Sequence, residues 1–233
     1  TEFTTAITAD GKIDDYDTAG VRTSTGNYQF TKDATVTVKG TNAINAEGWD
    51  WEEAVLKVNA ADLDLNLNTD QRGIYAKFAD VEVTAKTLNI TAEGGNSRDA
   101  ALVYNDRSKV TVNGNIVGTV DGSNIGSRNV ASGLYASGSS ATTTINGNFT
   151  AKKDEGYGIT GSKNVTGINA VSSATINVNG DVDMTVNGTG INAESKGTVN
   201  INGATNIAVS ENNKALNANG GTINVNMNAD QTA

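Results

Sequence analysis

The sequence predicts an all-β chain organised as a parallel β-helix of about eight short coils, and three observations lead there. The first is a four-residue motif that returns along the chain. Gly167-Ile168-Asn169-Ala170 is repeated outright as Gly190-Ile191-Asn192-Ala193. It recurs with small changes as Ala43-Ile44-Asn45-Ala46, Gly73-Ile74-Tyr75-Ala76, Gly133-Leu134-Tyr135-Ala136 and Ala215-Leu216-Asn217-Ala218. Gly20-Val21-Arg22-Thr23 and Ala101-Leu102-Val103-Tyr104 are looser copies. The copies start at 20, 43, 73, 101, 133, 167, 190 and 215, so the period runs from 23 to 34 residues, as in stacked repeat architectures.

The second observation is alternation at period two, the mark of a strand with one face buried. It is unbroken in Asp62-Leu63-Asp64-Leu65-Asn66-Leu67-Asn68 and recurs in Val81-Glu82-Val83, Val110-Thr111-Val112 and Val182-Asp183-Met184-Thr185-Val186. Helical spacing is absent. The third is a turn signal at a fixed offset: Asn113-Gly114, Asn146-Gly147, Asn179-Gly180 and Asn202-Gly203 lie 12, 13, 12 and 12 residues into their units. Asn-Gly favours positive φ and by itself suggests a hairpin, so a chain of hairpins is the structural alternative. The minimum period of 23 decides against it, because it accommodates three strands of about five residues and three turns, one complete coil.

Taken in order, residues 1–19 read as a partial first coil or a ragged end, with short apolar pieces around Ile7 and Ile13 and an acidic stretch, Asp14-Asp15-Tyr16-Asp17. Residues 20–233 carry the coils. In the unit from Gly167 the three runs are Ile168–Ala170, Thr175–Val178 and Val182–Val186; in the next they are Ile191–Ala193, Thr198–Ile201 and Ile207–Val209. Stacking puts the second motif position in one core ladder: Val21, Ile44, Ile74, Leu102, Leu134, Ile168, Ile191 and Leu216. The third position faces out: Arg22, Asn45, Tyr75, Val103, Tyr135, Asn169, Asn192 and Asn217. The fourth, mostly Ala, returns inward. Each unit buries its apolar face only against its neighbours, so stability is nearly one-dimensional.

Composition narrows the chemistry. There is no Cys, so disulfides and thiolate metal sites are excluded, and no His, so Ser-His-Asp chemistry is excluded as well. Residues 1–110 carry 11 basic and 18 acidic side chains (−7), and 111–233 carry 6 and 8 (−2). No basic patch is present to neutralise phosphates, which argues against nucleic acid. No apolar run approaches the ~20 residues of a membrane-spanning helix. No leader is visible at Thr1, and the chain reads as a piece of something longer. Asp10–Asp17 fails the spacing of an EF-hand loop, and the Gly-rich nonapeptide of calcium-binding β-rolls is missing. No metal and no cofactor is expected.

Spacing beyond 23 has to be absorbed by loops, where a rigid scaffold carries function. Ala92–Asp99, Asp121–Ser132 and Ala151–Thr166 fall after the third strand in consecutive coils and are expected to stack as a ridge on one edge. The longest holds Lys152, Lys153, Asp154, Glu155, Tyr157 and Lys163. A fourth insertion, Glu47–Glu53, sits at another corner and contains both tryptophans, Trp49 and Trp51. These eight residues are the candidate binding groups, since aromatics pack on sugar rings and anchor interfaces. The bland alternative makes the loops tolerated elaboration, the tryptophans a small apolar lid, and the outward Asn and Tyr column a stiffening ladder or a polar self-association face.

The repeated Gly-Ile-Asn-Ala and Thr-Ile-Asn-Val-Asn-Gly segments, with Thr/Asn/Gly richness and no Cys, resemble the passenger domains of Gram-negative autotransporter adhesins. The likeness runs from Gly20 to the end and is one of composition and period. It implies a right-handed three-stranded β-helix exported to the bacterial cell surface, in keeping with the hand of parallel crossovers. It also implies a signal peptide and a C-terminal membrane β-barrel, neither of which is in this sequence. Three function classes follow. The first is a non-enzymatic adhesin that binds a host or bacterial surface protein or glycan. The second is a passive stalk or self-association module. The third is a polysaccharide-degrading β-helix enzyme using Asp62, Asp64, Glu52, Glu53 and Arg72. Stacked long loops favour the first.

Overall fold

The computed structural model describes residues 2–3, 13–14, 25–94, 99–153, 156–162 and 165–227. Among them the chain is all-β. Val, Ile and Thr alternate with Asn, Asp and Thr in short runs, a composition that suits a pleated, half-buried surface. Every ladder joining two strands is parallel, and it joins each strand to its equivalent one repeat away.

Two sheets result. The motif strands form one of eight: Ile13–Asp14, Ile44–Glu47, Arg72–Lys77, Ala100–Asp106, Ala131–Ser137, Val165–Val171, Thr189–Glu194 and Leu216–Asn219. The second and third runs of the repeats form the other, of fourteen strands. In three repeats those two runs are continuous, as Ala79–Glu93, Lys109–Gly122 and Thr198–Val209, so a repeat does not always carry three separate strands. The core lies between the sheets. Each fully buried aliphatic side chain there contributes about 1.5–3 kcal/mol.

The register corrects two rungs of the expected ladder. Ile44 pairs with Ile74, Ile74 with Val103, and Val103 with Leu134; then come Ile168, Ile191 and Leu216. The rung residue of the fourth motif is therefore Val103, not Leu102, and the outward residue is Tyr104, not Val103. Two apolar neighbours made the sequence ambiguous, and the interior resolves it. In four other repeats a glycine (Gly73, Gly133, Gly167 or Gly190) takes the place of Leu102, because a large side chain from the third run already fills the space; Ala43 and Ala215 hold the position in two more. A Cβ on Gly167 would fall 2.5 Å from Met184 Sδ, and Gly73 and Gly190 face Ile90 and Ile207 in the same way. In the fourth repeat the volumes are exchanged. Leu102 points inward, and the facing residue is Gly118, where a Cβ would lie 2.6 Å from Leu102 Cδ1.

The shift also places Asn105 at the small inward position that Ala76, Ala136 and Ala170 hold elsewhere. It is completely buried, and its Nδ2 lies 2.9–3.0 Å from Ser108 O, Thr142 O and Thr143 Oγ1, while its Oδ1 accepts the Ser108 N–H. A buried amide is tolerated only when satisfied in this way. At the N-terminal side, Ile44 pairs with Ile13. Ile13 therefore takes the rung expected of Val21; the motif copy at Gly20–Thr23 lies outside the described residues.

The Asn-Gly turns stack on one another, for a reason other than the one the dipeptide suggests. Gly114 has positive φ (146°), but Gly147, Gly180 and Gly203 do not. Their glycine is required by close approach, since a Cβ on Gly180 would sit 2.6 Å from the Gly147 carbonyl carbon. The asparagines form a hydrogen-bonded column: Asn146 Nδ2 donates to Asn113 Oδ1 (2.7 Å), Asn179 to Asn146 (2.7 Å) and Asn202 to Asn179 (2.8 Å). A second column runs from Asn224 to Asn200 to Asn177, both bonds 2.8 Å. In every case the amide donates towards the N-terminal repeat.

Candidate binding surface

The outer face of the motif sheet changes character along its length. In the central column Asn45 is followed by Tyr75, Tyr104 and Tyr135, and then by Asn169, Asn192 and Asn217. The tyrosines form a column of rings, with centroids 5.6 Å apart for Tyr75–Tyr104 and 4.7 Å for Tyr104–Tyr135, at tilts of 42° and 34°. Arg72 lies over Tyr75 at 4.2 Å and Tyr104 at 4.9 Å, and its guanidinium is 3.9 Å from the Asp99 carboxylate. Its buried Nε makes no hydrogen bond among the described residues, so the rings are its main compensation there. Burial raises the pKa of all three phenols, most strongly that of Tyr104, so all stay protonated and neutral at ordinary pH. Sequence reasoning missed Tyr104 as part of this column because a one-residue slip reverses every side chain.

The tryptophans sit where motif strand Ile44–Glu47 turns into the second run. Trp49 N–H donates to Glu52 O (2.8 Å) and Glu52 N–H to Trp49 O (3.1 Å), which leaves Asp50 and Trp51 as a two-residue loop. The indoles are 5.6 Å apart and 11° from parallel. They are 53% and 80% exposed and stack on each other. The same corner in the next two repeats holds Phe78 and Arg107, both in the left-handed region (φ 47° and 53°), which bulky residues rarely adopt. Arg107 lies 4.1 Å over the Phe78 ring and pairs with Asp106 through its Nε (2.9 Å) and one terminal nitrogen (3.0 Å). Beside it, Lys77 Nζ donates to Glu47 (2.9 Å). Six of the chain's twelve aromatic side chains thus lie on this part of the molecule: Trp49, Trp51, Tyr75, Phe78, Tyr104 and Tyr135.

The segment Ala151–Thr166 is placed differently from expectation. The third run of its repeat begins as Phe149–Ala151, leaves the sheet, and returns as Ile159–Gly161, which pairs with Val120–Gly122. The excursion is pinned by an antiparallel bridge between Lys152 and Tyr157. It therefore interrupts a strand and does not extend the corner loop. The reason is Ile159, which is completely buried in register with Val120 and Val186. The other two insertions do stack, through Gly94 N–H to Asp121 O and Val130 N–H to Asp99 Oδ1 (2.7 Å). Thr160 and Gly161 of the third insertion pair with Asp121 and Gly122 of the second, so the expected ridge continues at its base and only the excursion departs from it. Lys152 ion-pairs with Asp183; Lys153 is exposed, and its charge helps lower the Asp121 pKa. Asp154, Glu155 and Lys163 lie outside the described residues. The Trp loop and the Lys152–Tyr157 excursion are in different repeats and different sheets, so the candidate residues do not make one site.

Compared with models of protein families, with curated proteins and with solved structures, the chain matches none.

The residues considered for catalysis are also dispersed. Glu52 and Glu53 flank the Trp loop, Asp62 is exposed in a turn, Asp64 opens a strand of the larger sheet, and Arg72 is paired with Asp99. Among the described residues no group of three or more His, Cys, Asp or Glu side chains is disposed to hold a metal ion. No helix among them is long and apolar enough to cross a membrane. What the surface offers is a rigid, extended array of aromatic rings, amides and ion pairs.

Proposed function

We propose that this chain is a right-handed parallel β-helix of about eight coils, part of a bacterial cell-surface adhesin of the autotransporter type, acting without catalysis. Attachment to a host or bacterial surface protein or glycan runs through the aromatic side of the motif sheet and its adjoining corner. The observation that carries this reading is the Trp49–Trp51 stack, exposed on a tight loop beside the tyrosine column. An indole presents roughly 200 Å² of surface, and leaving most of Trp51 in water forgoes about 4 kcal/mol of burial at ~25 cal/mol/Å². A passive stalk has no need of that exposure; an interface anchor does. The loop's hydrogen bonds and the parallel ladders beneath it hold the rings in place, which lowers the entropic cost of capture.

The test coats beads with the protein and with a Trp49→Ala/Trp51→Ala variant and counts attachment to epithelial cells, matrix proteins and bacteria. The expected result is at least a tenfold loss in the variant, as for about 1.4 kcal/mol or more of binding free energy, with an unchanged melting curve. Equal attachment by both proteins would remove the Trp49–Trp51 pair as the anchor, and attachment by neither would return the chain to the stalk reading.

A further inference from the structure

The step from Tyr135 to Asn169 in the outward column opens a groove of about 460 Å³ across the motif sheet. Its floor is Tyr135, Asn169 and Asn192, three successive rungs, or about 10 Å at ~4.8 Å per rung. One wall is Ser127–Val130, from the insertion Asp121–Ser132, and Glu194 and Asn213 also border it. That wall is built into the fold. Ile125 is 8% exposed and packs close to Gly94 and Gly122; Asn129 N–H closes a turn onto Gly126 O (2.9 Å), and Asp99 accepts the Val130 N–H. The volume is that of a small-molecule site.

We infer that this groove is a binding site for a neutral oligosaccharide, a deepening that rests on the adhesin reading. Four features select that class. Tyr135 closes the ring column, with Tyr104 on one face, so its other face borders the groove and offers an apolar platform for the C–H face of a sugar. The amides of the floor are fixed in advance: Asn192 Nδ2 donates to Asn169 Oδ1 (2.9 Å), and Asn217 Nδ2 to Asn192 Oδ1 (2.6 Å). Each ladder amide keeps a second N–H and a second lone pair for a hydroxyl. Asn169 heads the ladder, because the rung before it is Tyr135, and its Nδ2 makes no hydrogen bond within the described residues. Finally, among the described lining residues Arg128 and Glu194 are one charge of each sign, which favours an uncharged, hydroxyl-rich occupant over an acidic or basic one.

The intact protein is titrated with neutral hexaoses (α-1,4-glucan, β-1,4-glucan, β-1,3-glucan, β-1,4-mannan and chitin-derived) by calorimetry and saturation-transfer NMR. At least one is expected to bind. Tyr135→Ala is expected to weaken it about tenfold, the equivalent of ~1.4 kcal/mol. Tyr135→Leu, which keeps bulk without a ring, gives the same loss if the alanine variant melts early. Asn169→Leu weakens binding as well, and Asn224→Ala, in the asparagine column of the other sheet, leaves it within about twofold. The inference is overturned if none of the hexaoses binds, or if binding is undiminished in both Tyr135 variants. Bead attachment separates this from the adhesin reading: attachment that survives glycosidase treatment and the Tyr135 variants would leave the adhesin standing on a protein receptor and remove the groove.

Discussion

The repeats that begin at Gly73, Ala101 and Gly133 share their register with those that begin at Gly167 and Gly190, yet they use it differently. In the later pair the outward column is Asn on Asn, the inward small residue is Ala, and the interior glycine faces Met184 or Ile207. In the earlier group the outward column is Tyr, the inward position once becomes Asn105, and Leu102 and Gly118 trade volumes across the core. The first arrangement repeats a self-complementary unit, so any Asn can bond to the next. The second departs from the repeat both inside, at Leu102, Asn105 and Gly118, and on one outer face, where aromatic rings, Arg72 and Arg107 gather. Backbone pairing is indifferent to this choice, and so a regular scaffold can carry an irregular surface.

The largest expected effect comes from forcing the fourth repeat to follow the later pattern. Leu102→Gly alone should cost about 4 kcal/mol, since it empties a packed volume. Gly118→Ile alone should cost about 2 kcal/mol by overpacking against Leu102. The double variant rebuilds the Gly-opposite-Ile arrangement of the repeat before it, and a double-mutant cycle in urea should return at least ~1.5 kcal/mol of favourable coupling. Strict additivity would show that the two positions do not share a volume.

A middle-sized effect separates the two kinds of column. Asn179→Ala removes one donated and one accepted ladder bond and should lower stability by about 1 kcal/mol, whereas Asn202→Ala, which loses only its bond to Asn179, should cost roughly half as much. Tyr104→Asn should also cost about 1 kcal/mol, through lost ring stacking and the uncovered Arg72 guanidinium. Its loss should not be recovered by Tyr75→Asn in the same chain. Recovery would mean that an Asn pair can replace the rings, contrary to the distinction drawn between the regions.

The smallest effect is titrational. The Ser123 hydroxyl and backbone N–H both donate to Asp121 and lower its pKa below the ordinary value of 3.8. The stabilisation is fully present above that value and is lost as the pH falls through the lower, folded-state pKa. Asp121→Asn should therefore lower the neutral plateau slightly and flatten the acid limb of the stability profile below about pH 4, the two proteins converging in acid. A plateau lowered as much as the acid limb would mean that the carboxylate's charge is not what the turn uses.

Much was legible in the chain itself. The period of the motif, the two-residue alternation and the absence of helical spacing predict an all-β chain of stacked parallel strands, because an apolar face only as wide as one strand has to be covered by its neighbours. Six of the eight rungs follow from the motif alone: Ile44, Ile74, Leu134, Ile168, Ile191 and Leu216. The exposed candidates Trp49 and Trp51 were visible as the chain's two tryptophans in an insertion. What they do there was not, since sequence does not say whether an indole folds onto the core or onto another indole.

The remaining decisions belonged to tertiary structure. Register between Leu102 and Val103 turned on which interior volume was empty, and that depends on Gly118, sixteen residues further on. The Asn-Gly turns needed glycine for the approach of the next repeat, a contact absent from any local propensity. Ile159 drew its segment back into the sheet because burying a large aliphatic side chain outweighs the freedom of a longer loop. The groove beside Tyr135 exists only because a tyrosine rung, an asparagine rung and an insertion from the preceding repeat are stacked together. Local sequence determines that side chains alternate along a strand; only the stacked neighbours determine which set turns inward and what it meets.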